Sequence, residues 1–119
     1  MSTTYRSEST VRGAQATARI ECVGVRALDK RRVDVAVDLV LGPEPLSVEL
    51  VIVGPDDKEL CSVQVVHNHQ AALDKTMHLR ADAEPGEHTL HVGLFRDEEL
   101  LDHAVRHFAF PAAEAGKER

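Results

Sequence analysis

The sequence is poor in aromatic residues and in cysteine. Phe, Tyr and Trp make up 3% of the 119 residues, and Trp is absent. The core is therefore expected to be aliphatic and built mainly from Val, whose β-branched side chain packs well on a pleated sheet. Cys22 and Cys61 are too few for a disulfide framework, and we interpret each as a small buried hydrophobe. A Cys22–Cys61 bridge would require their two strands to face each other.

Long apolar segments and strongly basic clusters are also missing. No window of about 18 apolar residues occurs, so no membrane-spanning helix is predicted. Residues 1–13 lack the apolar core of a secretory signal, which favours a cytoplasmic location unless the chain is cut from a longer precursor. The formal net charge is -6, and we interpret the densest basic run, Lys30-Arg31-Arg32, as a solvated turn. Because an acidic surface repels phosphate, no nucleic-acid partner is predicted.

Between two polar ends, the chain repeats short apolar runs that are separated by turn residues. We predict a flexible N-terminal arm over 1–16, one domain over 17–111 and a C-terminal tail over 112–119. The clearest run is 32–41, where Val or Leu occupies every second position, as in a half-buried strand. The other predicted strands cover 17–26, 46–53, 58–66, 75–81, 87–95 and 100–110. Seven strands without an intervening helix predict an all-β, seven-stranded antiparallel β-sandwich.

Three segments depart from simple alternation. In the first strand the apolar positions change side next to Gly24, which predicts a β-bulge there. Residues 67–74 are interpreted as a polar connection or as one short helical turn around 70–73. In the last strand two sets of apolar positions compete, and a bulge near Arg106 would reconcile them.

The segment 85–95 begins Pro85-Gly86-Glu87-His88 and continues with alternating apolar residues, and the last strand ends in Phe108-Ala109-Phe110-Pro111. Both resemble the final two strands of bacterial immunoglobulin-like and fibronectin-III-like domains. The resemblance implies an immunoglobulin-like sandwich with a binding, spacer or assembly role, and says little about activity. Those domains usually place Tyr where this chain has His88. Either an imidazole nitrogen replaces the tyrosine's bond to the preceding corner, or the corner is absent.

Histidine is the unusual feature of the composition. The seven histidines are His67, His69, His78, His88, His91, His103 and His107. A zinc site needs three or four converging ligands, whereas the pairs His67/His69 and His103/His107 have no third ligand specified by the sequence. No metal or cofactor is therefore predicted, and a small metal- or ligand-binding protein that uses its histidines is the alternative function. Protonation of all seven would change the formal charge from -6 to +1, so a pH-sensitive contact is a further hypothesis.

Catalytic motifs are missing. The chain has no Gly-x-Ser-x-Gly elbow, phosphate-binding glycine loop or His-Glu-x-x-His helix. The acidic clusters 56–57 and 97–99 fall in predicted turns, where carboxylates commonly serve solubility. We therefore predict that the domain is not an enzyme.

Apolar residues also occur on strand sides that ought to be polar. In the third strand Val51 and Val53 lie on the side opposite the main apolar residues, and in the fourth strand Leu60 and Val66 do so. Either a local segment or bulge covers these four residues, or they form an interface. The sequence thus predicts a non-catalytic interaction or assembly module that contacts a protein partner or a second copy of itself.

Overall fold

A computed structural model of the protein describes residues 18–110, which form seven β-strands. The predicted arm over 1–16 and tail over 112–119 lie outside the described residues. The strands are β1 Arg19–Ala27, β2 Arg32–Val40, β3 Leu46–Val53, β4 Glu59–Asn68, β5 Ala72–His78, β6 Gly86–Arg96 and β7 Glu99–Phe110. Within the described residues no helix is long and apolar enough to cross a membrane.

The strands form two antiparallel sheets packed face to face. One has the order β1-β2-β5 and the other the order β4-β3-β6-β7. The inward side chains of the two sheets form one core, which is mostly Val and Leu. The residues buried in it are Val23, Val33, Val35, Val37, Leu39, Leu46, Val48, Leu50, Ile52, Leu73, Met77, Leu79, Leu90, Val92, Leu94 and Phe110. The prediction of an all-β, seven-stranded antiparallel sandwich with an aliphatic core is confirmed.

The bulge in β1 lies nearer the N-terminus than predicted. The register with β2 shifts between Ile20 and Cys22 and is regular at Gly24. A shift by one residue reverses the side on which the following residues point. Val23 therefore joins Ile20 on the core side, whereas Cys22 pairs with Asp38 and is exposed. The interpretation of Cys22 as a buried hydrophobe was wrong.

The two cysteines are free thiols in different environments. Cys61 lies on the core side of β4, is half-buried and donates a hydrogen bond to the carbonyl oxygen of His78 at 3.3 Å. Burial raises the pKa of the Cys61 thiol, and the hydrogen bond to His78 opposes part of this rise. Because Cys22 points away from the core, no Cys22–Cys61 bridge forms in this structure.

This difference predicts two rates of thiol modification. We expect Cys22 to react with Ellman's reagent about tenfold faster than Cys61 near pH 8, because the half-buried Cys61 thiol, with its raised pKa, forms less thiolate. Absorbance at the dye's maximum would show two phases. Cys22→Ser should remove the fast phase and leave the slow one. Equal rates in the wild-type protein would contradict the placement of Cys22 outside the core.

Two other local predictions were wrong. The helical turn around 70–73 does not form, because β5 begins at Ala72 and Leu73 is buried opposite Val37. The bulge in β7 lies at Leu101, between the pairs Phe95–Leu100 and Leu94–Asp102, and the register is regular at Arg106. From position 102 onward, the even-numbered residues of β7 therefore pair with the core-facing residues of β6.

The corner that precedes β6 uses the imidazole of His88. Its Nδ1 lies 3.0 Å from the carbonyl oxygen of Gly86. The ring packs edge-on against Phe110 with a centroid separation of 4.7 Å. Of the two alternatives for this corner, the structure thus shows the imidazole bond.

Charges and bulges interrupt the sheet edges. Lys75 on edge strand β5 pairs with the buried Val35, and Asp102 and Arg106 on edge strand β7 pair with buried residues of β6. Core-side charges on edge strands disfavour pairing with another chain. β4 is interrupted by register shifts at both ends. The sheet faces, rather than the edges, are therefore the better surfaces for an interaction.

Candidate interaction face

The outward side of the four-stranded sheet has an apolar centre. Val51 and Val53 on β3, His91 and Phe95 on β6 and Val105 on β7 are all half-buried there. Val51 pairs with His91, and His91 pairs with Val105, so they form one continuous row across three strands. We call these five residues the docking face. None of them belongs to the core or is packed against it.

Gly93 allows Phe95 to lie against this sheet. A Cβ atom at Gly93 would approach Cε1 of Phe95 to 2.8 Å, closer than carbon atoms normally come. The ring of Phe95 therefore lies over the glycine. Leu100, which is 53% exposed, pairs with Phe95 and extends the apolar surface toward β7.

Polar side chains surround the docking face. Glu49 and Glu59 lie on the β3–β4 side, where Glu59 pairs with Val53. His103 and His107 lie on the β7 side, paired with Gly93 and Thr89. An apolar centre inside a polar rim is the usual composition of a protein–protein interface.

Three of the seven imidazoles lie on this side of the sheet. Nδ1 of His91 lies 3.4 Å from Nε2 of His103, with the two rings nearly parallel. Nδ1 of His107 lies 3.2 Å from a carboxylate oxygen of Glu87 and 3.3 Å from the hydroxyl of Thr89. The predicted pair His103 and His107 does share one strand side, but the two bind different partners. The hypothesis of a pH-sensitive contact stays a prediction.

The alternative function, metal binding by histidines, has no preformed site in residues 18–110. No group of three or more His, Cys, Asp or Glu side chains there is placed to hold one metal ion. His67 and His69 are exposed on either side of the buried Asn68. The side-chain amide of Asn68 donates a hydrogen bond to the backbone carbonyl oxygen of Gln70 and accepts one from the backbone N–H of Gln70. These two bonds organise the turn between β4 and β5.

The outward side of the three-stranded sheet has a different character. Asp34 and Asp38 on β2 and Asp74 and Thr76 on β5 lie there, around Ala36. A hydrogen bond that protonated Asp74 donates to the Asp34 carboxylate, together with charge repulsion between the two carboxylates, raises the pKa of Asp74. Adjacent carboxylates are stable only when water solvates them, so this side is a solvated surface.

The four predicted interface residues lie in three different places. Val51 and Val53 belong to the docking face. Leu60 and Val66 both lie at register shifts of β4. Leu60 packs against the core, whereas Val66 is 57% exposed at the opposite end of the strand. The structure thus unites two of the four with His91, Phe95 and Val105.

Sequence reasoning missed these last three residues. The signal was present in the alternation of β6, where positions 91 and 95 oppose the core positions 90, 92 and 94. Val105 could not be assigned a side because the bulge at Leu101 was misplaced.

Two residues of the basic run 30–32 form side-chain hydrogen bonds within the domain. The Arg31 guanidinium donates to the carbonyl oxygens of Arg80 at 2.6 Å and Leu79 at 3.5 Å. The Arg32 guanidinium donates to the Asp29 carboxylate at 2.8 Å. The Arg31 bonds join the β1–β2 turn to the segment after β5, and the Arg32 bond closes the turn itself.

Comparison with known proteins identifies the fold and no family. No family model and no curated protein matches the chain. Among solved structures, a glycosyl hydrolase family 2 member from Bacteroides cellulosilyticus matches with a TM-score of 0.62 and 13% identity, over 79% of this chain and 15% of that one. A Bifidobacterium dentium β-glucuronidase matches with a TM-score of 0.59 and 18% identity, over 80% and 18%. A putative β-galactosidase from Bacteroides fragilis matches with a TM-score of 0.53 and 14% identity, over 77% and 17%.

These likenesses carry a limited conclusion. The chain spans less than a fifth of each of these glycosidase chains. At such low identity the similarity establishes a shared fold and no shared activity. The chain is an all-β sandwich whose fold recurs as one part of larger glycosidases.

Proposed function

We propose that this chain is a non-catalytic, immunoglobulin-like assembly module that associates with a second copy of itself through the docking face. The observation that carries the proposal is the half-buried row Val51–His91–Val105, which together with Val53 and Phe95 gives an otherwise polar sheet side a mostly apolar centre. Apolar surface concentrated at the centre of a sheet side is most readily explained by a contact.

The rim makes the docking face complementary to itself. Two sheets can pack face to face with their strands nearly aligned. A two-fold axis parallel to the strands would place β7 of one copy over β4 of the other. By the strand register, His107 would then face Glu59, and His91 would face Val51. The imidazole side of each copy thereby meets the carboxylate side of the other, which favours a symmetric pair.

The size of the face indicates a weak and reversible association. Four strands over about seven residues cover about 450 Å² per copy. Stable complexes usually bury about 800 Å² per partner. The net charge of -6 adds repulsion between copies, although physiological salt screens it beyond about 8 Å.

The non-catalytic part of the proposal has its own support. The carboxylates of the turns at 56–57 and 97–99 are exposed, whereas acid–base catalysis usually needs a desolvated group. In the similar glycosidases the matching region is 15% and 18% of the chain, so most of each enzyme lies outside it. The free thiols are compatible with a reducing compartment, and the proposal keeps the cytoplasmic location.

The test is sedimentation velocity of the unmodified, unlabelled chain from about 10 μM to 1 mM at physiological salt. We expect the weight-average mass to rise toward twice the monomer mass, with a dissociation constant on the order of 100 μM. Val51→Lys combined with Val53→Lys should weaken this association at least about tenfold, because four ammonium groups would enter the apolar contact.

The matched control adds the same charge to the solvated sheet side. Ala36→Lys with Thr76→Lys should leave the mass profile unchanged, and far-ultraviolet circular dichroism should confirm the β-fold of both variants. A wild-type protein that stays monomeric over the whole range would overturn the proposal. So would a docking-face variant that associates as the wild type does.

A further inference from the structure

A cavity of about 340 Å³ opens at one end of the sandwich, beside the end of the docking face where Val53 pairs with Glu59. It lies between the β3–β4 turn and the segment that connects β5 to β6. Pro55, Leu60 and Leu79 give it apolar walls, and His88 forms part of its inner surface. Its volume falls at the lower end of the range for small-molecule sites, about 300–1,000 Å³.

His88 lines this cavity and has an unsatisfied hydrogen-bond acceptor. The residue is 1% exposed. Its Nδ1 faces the carbonyl oxygen of Gly86, which can only accept, so Nδ1 donates and carries the proton. Nε2 of the neutral ring is then an acceptor. Among the described residues this buried Nε2 has no hydrogen-bond partner. Buried polar atoms are nearly always satisfied, so an unpaired one indicates a missing donor.

The orientation of the imidazole is fixed by packing. Phe110 lies edge-on against the ring at 4.7 Å, and Phe108 lies at 5.9 Å. Together with the Nδ1 bond to Gly86, these contacts oppose a ring flip that would pair Nε2 elsewhere. The acceptor is therefore held in place for a donor that enters from outside.

The charges around the cavity favour a cation. Acidic side chains outnumber basic ones there by four to two. Of the acidic residues, Asp56 accepts a hydrogen bond from the Lys58 amide, and Asp82 lies 4.0 Å from the Arg31 guanidinium. The carboxylates of Glu59 and Glu84 form no hydrogen bond or ion pair within the described part of the chain.

We infer that this cavity binds a small organic cation with a primary ammonium group. The ammonium donates one hydrogen bond to Nε2 of His88 and others to the carboxylates at the rim. Its hydrocarbon part rests on Leu60 and Leu79. A quaternary ammonium has the same charge and lacks the N–H donors that Nε2 requires.

The test uses n-butylammonium chloride as the probe and nitrogen-15 NMR of the His88 ring as the readout. At neutral pH we expect a saturable shift of the His88 Nε2 resonance, together with shifts of the Leu60 and Leu79 methyl groups. For this five-heavy-atom ligand we expect a dissociation constant in the millimolar range, well short of the ceiling for very small ligands. n-Butyltrimethylammonium should bind at least about tenfold more weakly, because it offers no N–H donor.

Substitutions of exposed residues at the rim of the cavity test the proposal without disturbing the folded core. Glu84→Gln and Glu59→Gln alter exposed side chains, and each should weaken butylammonium binding about threefold or more. Glu98→Gln, in the distant β6–β7 turn, is the matched control and should leave it unchanged. The single docking-face variant Val51→Lys, which leaves Val53 beside Glu59 unchanged, should also bind normally, so the two proposals can fail separately.

Two outcomes would overturn the inference. If His88 shows no saturable shift up to about 50 mM probe, a buried water is the partner of Nε2 and the cavity is not a ligand site. If butylammonium and its quaternary analogue shift the spectrum equally, charge attraction alone explains the binding and the imidazole is not part of a recognition site.

Discussion

Leu50→Ala is expected to lower the free energy of unfolding by about 3 kcal/mol. Leu50 lies in the middle of β3, is 0% exposed and pairs with Val63 on one side and Val92 on the other. Removing three buried carbon atoms loses their burial free energy and leaves a cavity. The valines around it have stiff side chains, and the domain has few large rings that could move into the space.

Urea denaturation followed by circular dichroism measures this loss, read from the midpoint at constant slope. Val66→Ala is the control, because Val66 is 57% exposed and its loss should be below about 0.5 kcal/mol. A loss for Leu50→Ala below about 1 kcal/mol would mean that β3 is not the central strand of the core.

Asp102→Ala is expected to lower the free energy of unfolding by about 2 kcal/mol. One carboxylate oxygen of Asp102 accepts a hydrogen bond from the Ile20 amide at 2.8 Å, and the other accepts from the His103 amide at 2.9 Å. The Ile20 amide lies where the β1–β2 register shifts. Asp102 therefore ties β1 of one sheet to β7 of the other at a point where the ladder is broken.

Asp102→Asn distinguishes the loss of hydrogen bonds from the loss of side-chain volume, because the amide oxygen keeps one acceptor in the same place. We expect it to lose about half as much stability as Asp102→Ala. Hydrogen exchange gives a local readout, because the Ile20 amide should exchange faster in Asp102→Ala, while amides at the centre of β3 change only with global stability. An unchanged Ile20 exchange rate would contradict the cross-sheet bond.

The docking face shows how much of a candidate site the alternation of apolar and polar residues can predict. Val51 and Val53 could be recognised because β3 pairs with β6 in unbroken register from Ser47 to Val53, so parity assigns their side correctly. Leu60 and Val66 have the same pattern in sequence, but both lie at register shifts, where parity no longer predicts the side. The association itself stays a proposal.

The histidines show the same limit more sharply. Their number suggested a shared chemistry, yet the structure places four of them in three separate environments: the buried start of β6 at His88, a close pair at His91 and His103, and a contact with the Glu87 carboxylate at His107. Spacing along the chain could not reveal this division, because each environment is formed by residues from a neighbouring strand.

The sequence by itself determined the class of fold and most of the core. Period-two alternation, β-branched residues and turn residues at regular intervals are local properties, and each strand carries them independently of its neighbours. Tertiary structure alone decided where the bulges fall, which charge ties the two sheets together and which acceptor at His88 lacks a donor. Each of these depends on which strand lies beside or across from another, and that pairing is settled only when the two sheets close around a common core.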